Sequence, residues 1–381
     1  MAPKRPAGLG AASKAKKNKQ EEPNKEERSN VVPPTQEDTE DGDDWLDLLE
    51  LWEKCKTSLN SNEPASSAPL LRGILHETSR LVDLNGTDLS GFKSVSENGE
   101  ELQVSVSHFR LILASALLEL GILISASARF NEKDSLAAEG EPKTGSPFFF
   151  RAYSVAKTVE DQVFIEDSEL VAGRCAAEYL KERTASGETS NDPDDELKEE
   201  SNQQLLEIAT ESISKCNLDT KSPTLLLSLG SLLSTLEEDI INIENPSTAL
   251  SIFETALKKA DNTQTKFELL IGKARVLVSR GGYVIDKLFD EEDPSGKSKV
   301  EGYVQQTVNE LRVAINSLEE AQNMSDDLEV GESEANELTS LLKEAMIFLA
   351  NLLPEGEEQE ELFKKAGVED EEEDEEEDEE A

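Results

Sequence analysis

Between residues 44 and 367 the apolar positions recur at intervals of three and four, the period of helices that bury one face. Trp45, Leu48, Leu49, Trp52, Cys55 and Leu59 mark the first such face, behind an acidic first turn from Asp43 and Asp44. Ile74, Thr78, Leu81 and Val82 continue the pattern behind Pro69, which suits a first helical turn because it lacks the donor left unpaired there. Phe109 to Ala128 is apolar almost throughout, about the length that crosses a bilayer. Glu119 and Gly121 interrupt its middle, and a central acid costs roughly 3 kcal/mol in lipid. The stretch therefore reads as a buried central helix. Leu102–Ser107 alternates with period two, but with no second run to pair with it, it reads as the start of that helix.

Three Ser/Asn-Pro pairs punctuate the chain beyond this helix. Ser146-Pro147, Ser222-Pro223 and Asn245-Pro246 each read as a capping residue before a first-position proline. The C-terminal half divides into helices over Ser222–Ile243, Asn245–Ala260 and Thr263–Arg280. A loop over Asp286–Lys299 precedes helices over Val300–Ala321, Glu332–Leu353 and Glu357–Lys365. The heads at Pro223 and Thr263 stand 40 residues apart, one helix-pair period. That is longer than the tetratricopeptide repeat of about 34 residues and near the HEAT/armadillo repeat of about 40–47. Ser247–Leu257 nonetheless carries the small–aromatic–small pattern of a tetratricopeptide second helix, with Phe253 filling the gap between Ala249 and Ala256. The expected fold is all-α, a helical-repeat array of tetratricopeptide/HEAT-like antiparallel helix pairs with disordered charged termini. A generic helical bundle is the alternative. Four segments are expected: a disordered tail over 1–43, an N-terminal helical domain over 44–183, a helical-repeat domain over 201–367 and an acidic tail over 368–381.

Charge narrows the possible partners. The formal charge of −44 repels nucleic-acid phosphates, so neither DNA nor RNA is an expected partner. Against that background Lys4, Arg5, Lys14, Lys16, Lys17 and Lys19 lie in a stretch without a single acid. They read either as a nuclear address or as a solvated tail. Glu369 to Glu380 is an unbroken acidic run, either a solubilising end or a tail for basic peptides. Lys258 and Lys259 are positive positions on an acidic body and stand as partner-binding candidates, with Trp52 and His76 as the others.

Candidate chemistry is sparse. Cys55, Cys175 and Cys216 are far apart and odd in number, which fits a reducing compartment rather than a disulfide framework. The chain holds two histidines, His76 and His108. His76-Glu77 opens like a zinc-protease helix, but Arg80 stands where the second histidine belongs. Gly8, Gly10 and Gly281-Gly282 do not open a helix after a strand, so no phosphate-cradling loop is expected. Nucleophile, base and stabiliser do not assemble, and the reading is of a non-enzyme without cofactor or metal.

Several short motifs, taken in order, carry a resemblance. Lys4-Arg5-Pro6-Ala7-Gly8-Leu9-Gly10 opens the chain, followed by the basic cluster at Lys14–Lys19 and by Trp52 in a Leu-rich first helix. Gly73-Ile74-Leu75-His76-Glu77 with Arg80-Leu81 is the most specific piece, and the helix–acidic loop–helix order over 263–322 agrees. In these the chain resembles the fungal enhancer of translation termination family, which includes a nuclear negative regulator of an Ofd-type prolyl hydroxylase. The resemblance implies a nuclear all-α scaffold, present also in the cytoplasm. It would bind a 2-oxoglutarate-dependent prolyl-hydroxylase-type oxygenase and restrain it, linking hypoxic gene expression with translation termination. Iron and 2-oxoglutarate would belong to that partner, and a nuclear import receptor would be a second partner. The alternative is an acidic chaperone or nuclear-import adaptor for basic cargo.

Overall fold

The apolar periodicity resolves into thirteen α-helices among the described residues. A computed structural model describes residues 43–60, 64–86, 89, 93–95, 101–103, 105–130, 136–186, 195–239, 243, 245–290, 294–325, 328 and 330–368. The basic cluster, the acidic tail and residues 187–194 lie outside them. The first helices are α1 (Asp43–Leu59), α2 (Ala68–Asn85), α3 (Val106–Phe130), α4 (Ser146–Ala156), α5 (Ile165–Ser186) and α6 (Asn202–Ser214). They are followed by α7 (Pro223–Asp239), α8 (Thr248–Leu257), α9 (Thr263–Phe289), α10 (Pro294–Val300), α11 (Val304–Ser325), α12 (Glu332–Leu352) and α13 (Glu357–Ala366).

From α1 to α9 each helix packs on the next, and α11, α12 and α13 do the same beyond α9. A second order overlies this one: α3, α5, α7, α9 and α12 also pack on one another in succession and form one layer. This is the helical-repeat array expected from the pattern.

The core is partitioned along that layer. Phe109, Ile112, Ala116, Leu120 and Ile124 of α3 pack with α1 and α2, while Ala114 and Leu118 of the same helix join the cluster of α4–α9. Two apolar faces on one helix explain why the sequence of α3 is apolar almost all round. By length and composition Val106–Ala128 would pass for a membrane span, but half of its most apolar window is buried inside the fold. Gly121, an interruption in the sequence, is a contact in the structure. A β-carbon there would lie 2.7 Å from the Phe149 ring, so the missing side chain lets α4 close on α3.

Phe253 shows the same device twice over. Its fully buried ring lies between α7 and α9, and β-carbons at Gly230 and Gly272 would come within 2.7 and 2.6 Å of it. Ala249 and Ala256, equally buried, flank it on α8 as the repeat-like pattern requires.

Several boundaries differ from the sequence expectation. Strands are present: β1 (Lys93–Val95) pairs antiparallel with β2 (Glu101–Gln103), with Ser94 opposite Leu102, so α3 begins only at Val106. The partner strand is three residues long, too short for its alternation to register. Helix α8 starts at Thr248 with Ser247, not Asn245, as its cap; the Ser247 hydroxyl accepts from the Leu250 amide at 3.0 Å. Ser222 does cap α7, accepting from Leu225 at 3.3 Å. Helix α9 runs through Gly281-Gly282 to Phe289, and much of the expected loop is helix α10. Glycine is tolerated within α9 because Leu311 of α11 closes on Gly281.

Ser146 is the most instructive departure. It does not cap α4; it lies inside the first turn, and the cap is a carboxylate from another helix. Glu182 of α5 accepts from the Gly145 amide at 2.8 Å, the Ser146 amide at 2.5 Å and the Ser146 hydroxyl. Glu237 of α7 repeats the arrangement at the head of α8, accepting from Ser247 and from the amides of Thr248 and Ala249. An anion suits a helix N-terminus through both its free donors and its dipole.

Candidate functional groove

Four helices leave a groove of about 700 Å³ between them. Trp52, Lys56 and Leu59 of α1 form one wall and Leu111, Ser115, Glu119 and Ile122 of α3 form the floor. Phe164, Asp167, Val171 and Arg174 form the α5 side, and Ser222, Leu225 and Ser228 of α7 close the end. Three consecutive helices of that layer, α3, α5 and α7, supply most of this lining, which follows from the packing order.

The groove is partly apolar with an ionic centre. Arg174 Nη1 donates to Glu119 Oε1 at 2.7 Å, with both side chains about four-fifths covered. Glu119, the acid that breaks the apolar run of α3, is thereby explained: it faces the groove and meets a fixed cation. At the rim Lys221 pairs with Asp167 at 2.5 Å. Both ion pairs are neutral overall, and the remaining lining mixes apolar side chains and the Trp52 and Phe164 rings with Lys56 and several hydroxyls.

One end carries an aromatic stack. His108 lies parallel to Phe164 at 4.7 Å between centroids and edge-on to Trp45 at 5.4 Å. Burial, helped by the nearby Lys56 cation, holds the imidazole pKa below its usual value, against a smaller opposing effect of Glu53. His108 is thus neutral at physiological pH. The unfolded chain takes up the proton first as pH falls through about 6.5, so acidification favours unfolding. Thermal melts between pH 7.5 and 5.5 are expected to show a declining Tm, with a shallower decline in His108→Phe, which keeps the stacking ring. Equal slopes in the two proteins would remove His108 from the account.

The structure separates the candidates named from sequence. Trp52 lines the groove, with the Lys56 ammonium 6.0 Å from its ring centre. His76 is exposed on α2 and is not among the groove residues. Its neighbours act as a staple instead: Arg80 pairs with Glu77 at 2.5 Å and reaches Asp44 of α1 at 2.7 Å. Lys258 is exposed at the end of α8. Lys259 is a tether rather than a freely reversible surface charge, its ammonium donating to the Asp219 and Lys221 carbonyls. Lys4, Arg5, Lys14, Lys16, Lys17 and Lys19 lie outside the described residues. The groove ion pair and the His108 stack escaped sequence reasoning. The signal for the first was present, since an acid inside an apolar helix demands a partner.

Other chemistry is muted. Cys55, Cys175 and Cys216 are buried free thiols. Burial pushes Cys55 and Cys216 up to about 11, and raises Cys175 as well, so none is a thiolate at neutral pH. Among the described residues no three His, Cys, Asp or Glu side chains gather as metal ligands.

Fold and groove together define an all-α helical-repeat array with a partly apolar cleft on one layer. Residues 1–139 match the sequence family described as nuclear pore complex subunit Nro1. A solved structure of Nro1, described as a hypoxic regulator of sterol synthesis and a nuclear import adaptor, has the same fold. The TM-score is 0.57 at 15% identity, covering 85% of this chain and 86% of that one. Another structure, of the S. pombe nuclear import adaptor Nro1, aligns at a TM-score of 0.47 and 14% identity, over 85% of this chain and 99% of that one. No curated protein sequence matches the chain.

Proposed function

We propose that this chain is a non-enzymatic nuclear import adaptor and regulatory scaffold that holds a protein partner in the α1/α3/α5/α7 groove. The observation that carries the reading is the Nro1 family match over residues 1–139. That stretch includes the basic segment and the helices α1 and α3 that build two sides of the groove. The import receptor is the first partner, engaged through Lys4, Arg5, Lys14, Lys16, Lys17 and Lys19. The held partner is a 2-oxoglutarate-dependent prolyl-hydroxylase-type oxygenase, restrained by capture, which ties the protein to hypoxic gene expression. The description of the fold relative as a hypoxic regulator supports the link to hypoxic regulation, while the oxygenase as partner rests on the family resemblance. A role in translation termination rests on the family resemblance alone.

Two variants test the reading separately. Changing Lys14, Lys16, Lys17 and Lys19 to Ala is expected to shift a tagged protein from nucleus to cytoplasm and to abolish retention of an import receptor on immobilised protein. Trp52→Ala is expected to spare receptor binding and to release the oxygenase. Full nuclear accumulation and receptor binding by the lysine variant would overturn the adaptor reading. Undiminished oxygenase capture by Trp52→Ala would move the partner out of the groove.

A further inference from the structure

A second, smaller pocket of about 110 Å³ opens elsewhere, lined by α6, α7, the head of α8 and α9. Its residues do not overlap those of the groove. Ser234, Glu237 and Glu238 occupy positions i, i+3 and i+4 of α7 and so share one face of that helix. Glu207 of α6 and Arg280 of α9 complete the charged lining, three carboxylates against one guanidinium.

One group here is left unsatisfied. The Ser234 hydroxyl is buried, the residue only 2% exposed, and it has no hydrogen-bond partner. A buried polar group without a partner costs about 1–3 kcal/mol, and such groups are rare enough to call for a reason. Arg280 is already engaged: its guanidinium faces the Ile243 and Asn245 carbonyls and Glu310 at 3.3–3.4 Å. Glu237 uses both oxygens to cap α8, so that helix head is not open to an external anion.

We infer that this pocket binds a primary alkylammonium group, the end of a lysine side chain presented by a partner protein. An ammonium carries three donors and no acceptor. Ser234 Oγ and Glu238 offer oxygen acceptors along one helix face, the capping Glu237 carboxylate lies between them, and the excess of carboxylates selects a cation. The volume would hold about three to four waters, room for one slim unbranched chain end. The pocket lies on different helices from the oxygenase groove, except for α7, so a lysine anchored here would add a separate point of attachment.

The test is amide NMR on the deuterated full-length protein, following Ser234, Val276 and Ser279. The titrants are n-butylammonium chloride and, at matched ionic strength, n-butanol with sodium chloride. Saturable shifts with the amine and none with the alcohol are expected. Ser234→Ala is expected to weaken the amine while leaving Tm unchanged or raised, since it deletes a hydroxyl that has no partner. Glu238→Gln, at an exposed position, is expected to weaken binding severalfold without loss of Tm. A blocked lysine tripeptide should compete with the amine and its norleucine counterpart should not. No saturable shift, equal shifts with butanol, or indifference to both substitutions would overturn the inference. If the free amine binds and the blocked tripeptide does not, the protein-lysine source is overturned.

Discussion

Phe253→Ala is expected to lower stability by about 3–5 kcal/mol, the range for truncating a fully buried aromatic side chain. The ring touches two facing helices at positions where neither carries a side chain, so α7 and α9 have no atoms with which to fill the void. A domain of ordinary stability has about 5–15 kcal/mol in total, so the loss removes a large part of the margin. Urea unfolding followed by circular dichroism would read it as a lower midpoint at unchanged slope. A companion experiment isolates the geometry. Gly272→Ala alone should destabilise by overpacking, whereas in the Phe253→Leu background it should cost less, because the slimmer side chain leaves room. Additive effects in that cycle would mean that ring and glycine do not in fact meet.

Glu182→Ala is expected to cost about 3 kcal/mol or more. It strands the Gly145 amide, the Ser146 amide and the Ser146 hydroxyl together, each a buried donor worth roughly 1–3 kcal/mol when left without an acceptor. Glu182→Gln keeps the shape but supplies one acceptor oxygen, and turns an amide donor towards other donors, so it should recover only part of the loss. Melting temperatures of the two variants against the parent check the order. An alanine variant melting within a degree of the parent would show that water replaces the carboxylate.

These two sites differ in how far the sequence disclosed them. The Phe253 cluster was legible because its signature is local: two alanines and an aromatic within one helix, at spacings that set them on one face. The heads at Pro223 and Thr263 were legible for the same reason, since Ser222 and Asn262 cap from adjacent positions. Glu182 was not legible, because it caps a helix that begins 36 residues earlier in the chain. Ser146-Pro147 therefore looked like a self-capped start. Helix α5 gives no clear signal of its own: Ala172, Gly173, Cys175, Ala176 and Ala177 are buried, so its small residues face neighbours nearly all round and leave no sharp apolar stripe. Helix α6 escaped sequence reasoning too, although Ser201 and Gln204 form a complete capping box that could be read from the sequence. The groove required knowing that α1, α3, α5 and α7 converge, which no single helix encodes. Its aromatic stack joins Trp45, His108 and Phe164, positions that only tertiary packing brings together.

The neighbour-by-neighbour packing has a consequence for how the chain acquires its structure. Helices α1, α2 and α3 share one cluster of buried side chains, and most of the later contacts join helices one or two steps apart in sequence. Closing short connections loses little chain entropy, so order can spread quickly from any well-packed pair. During synthesis α1 and α2 have most of their partners as soon as α3 emerges from the ribosome, while residues beyond α9 are still unmade. The exception is the apolar outer face of α3, which must wait for α4 and α5. In that interval the face of α3 that carries Ala114 and Leu118 lacks its partners, and the nascent chain is then most exposed to chaperone capture or aggregation.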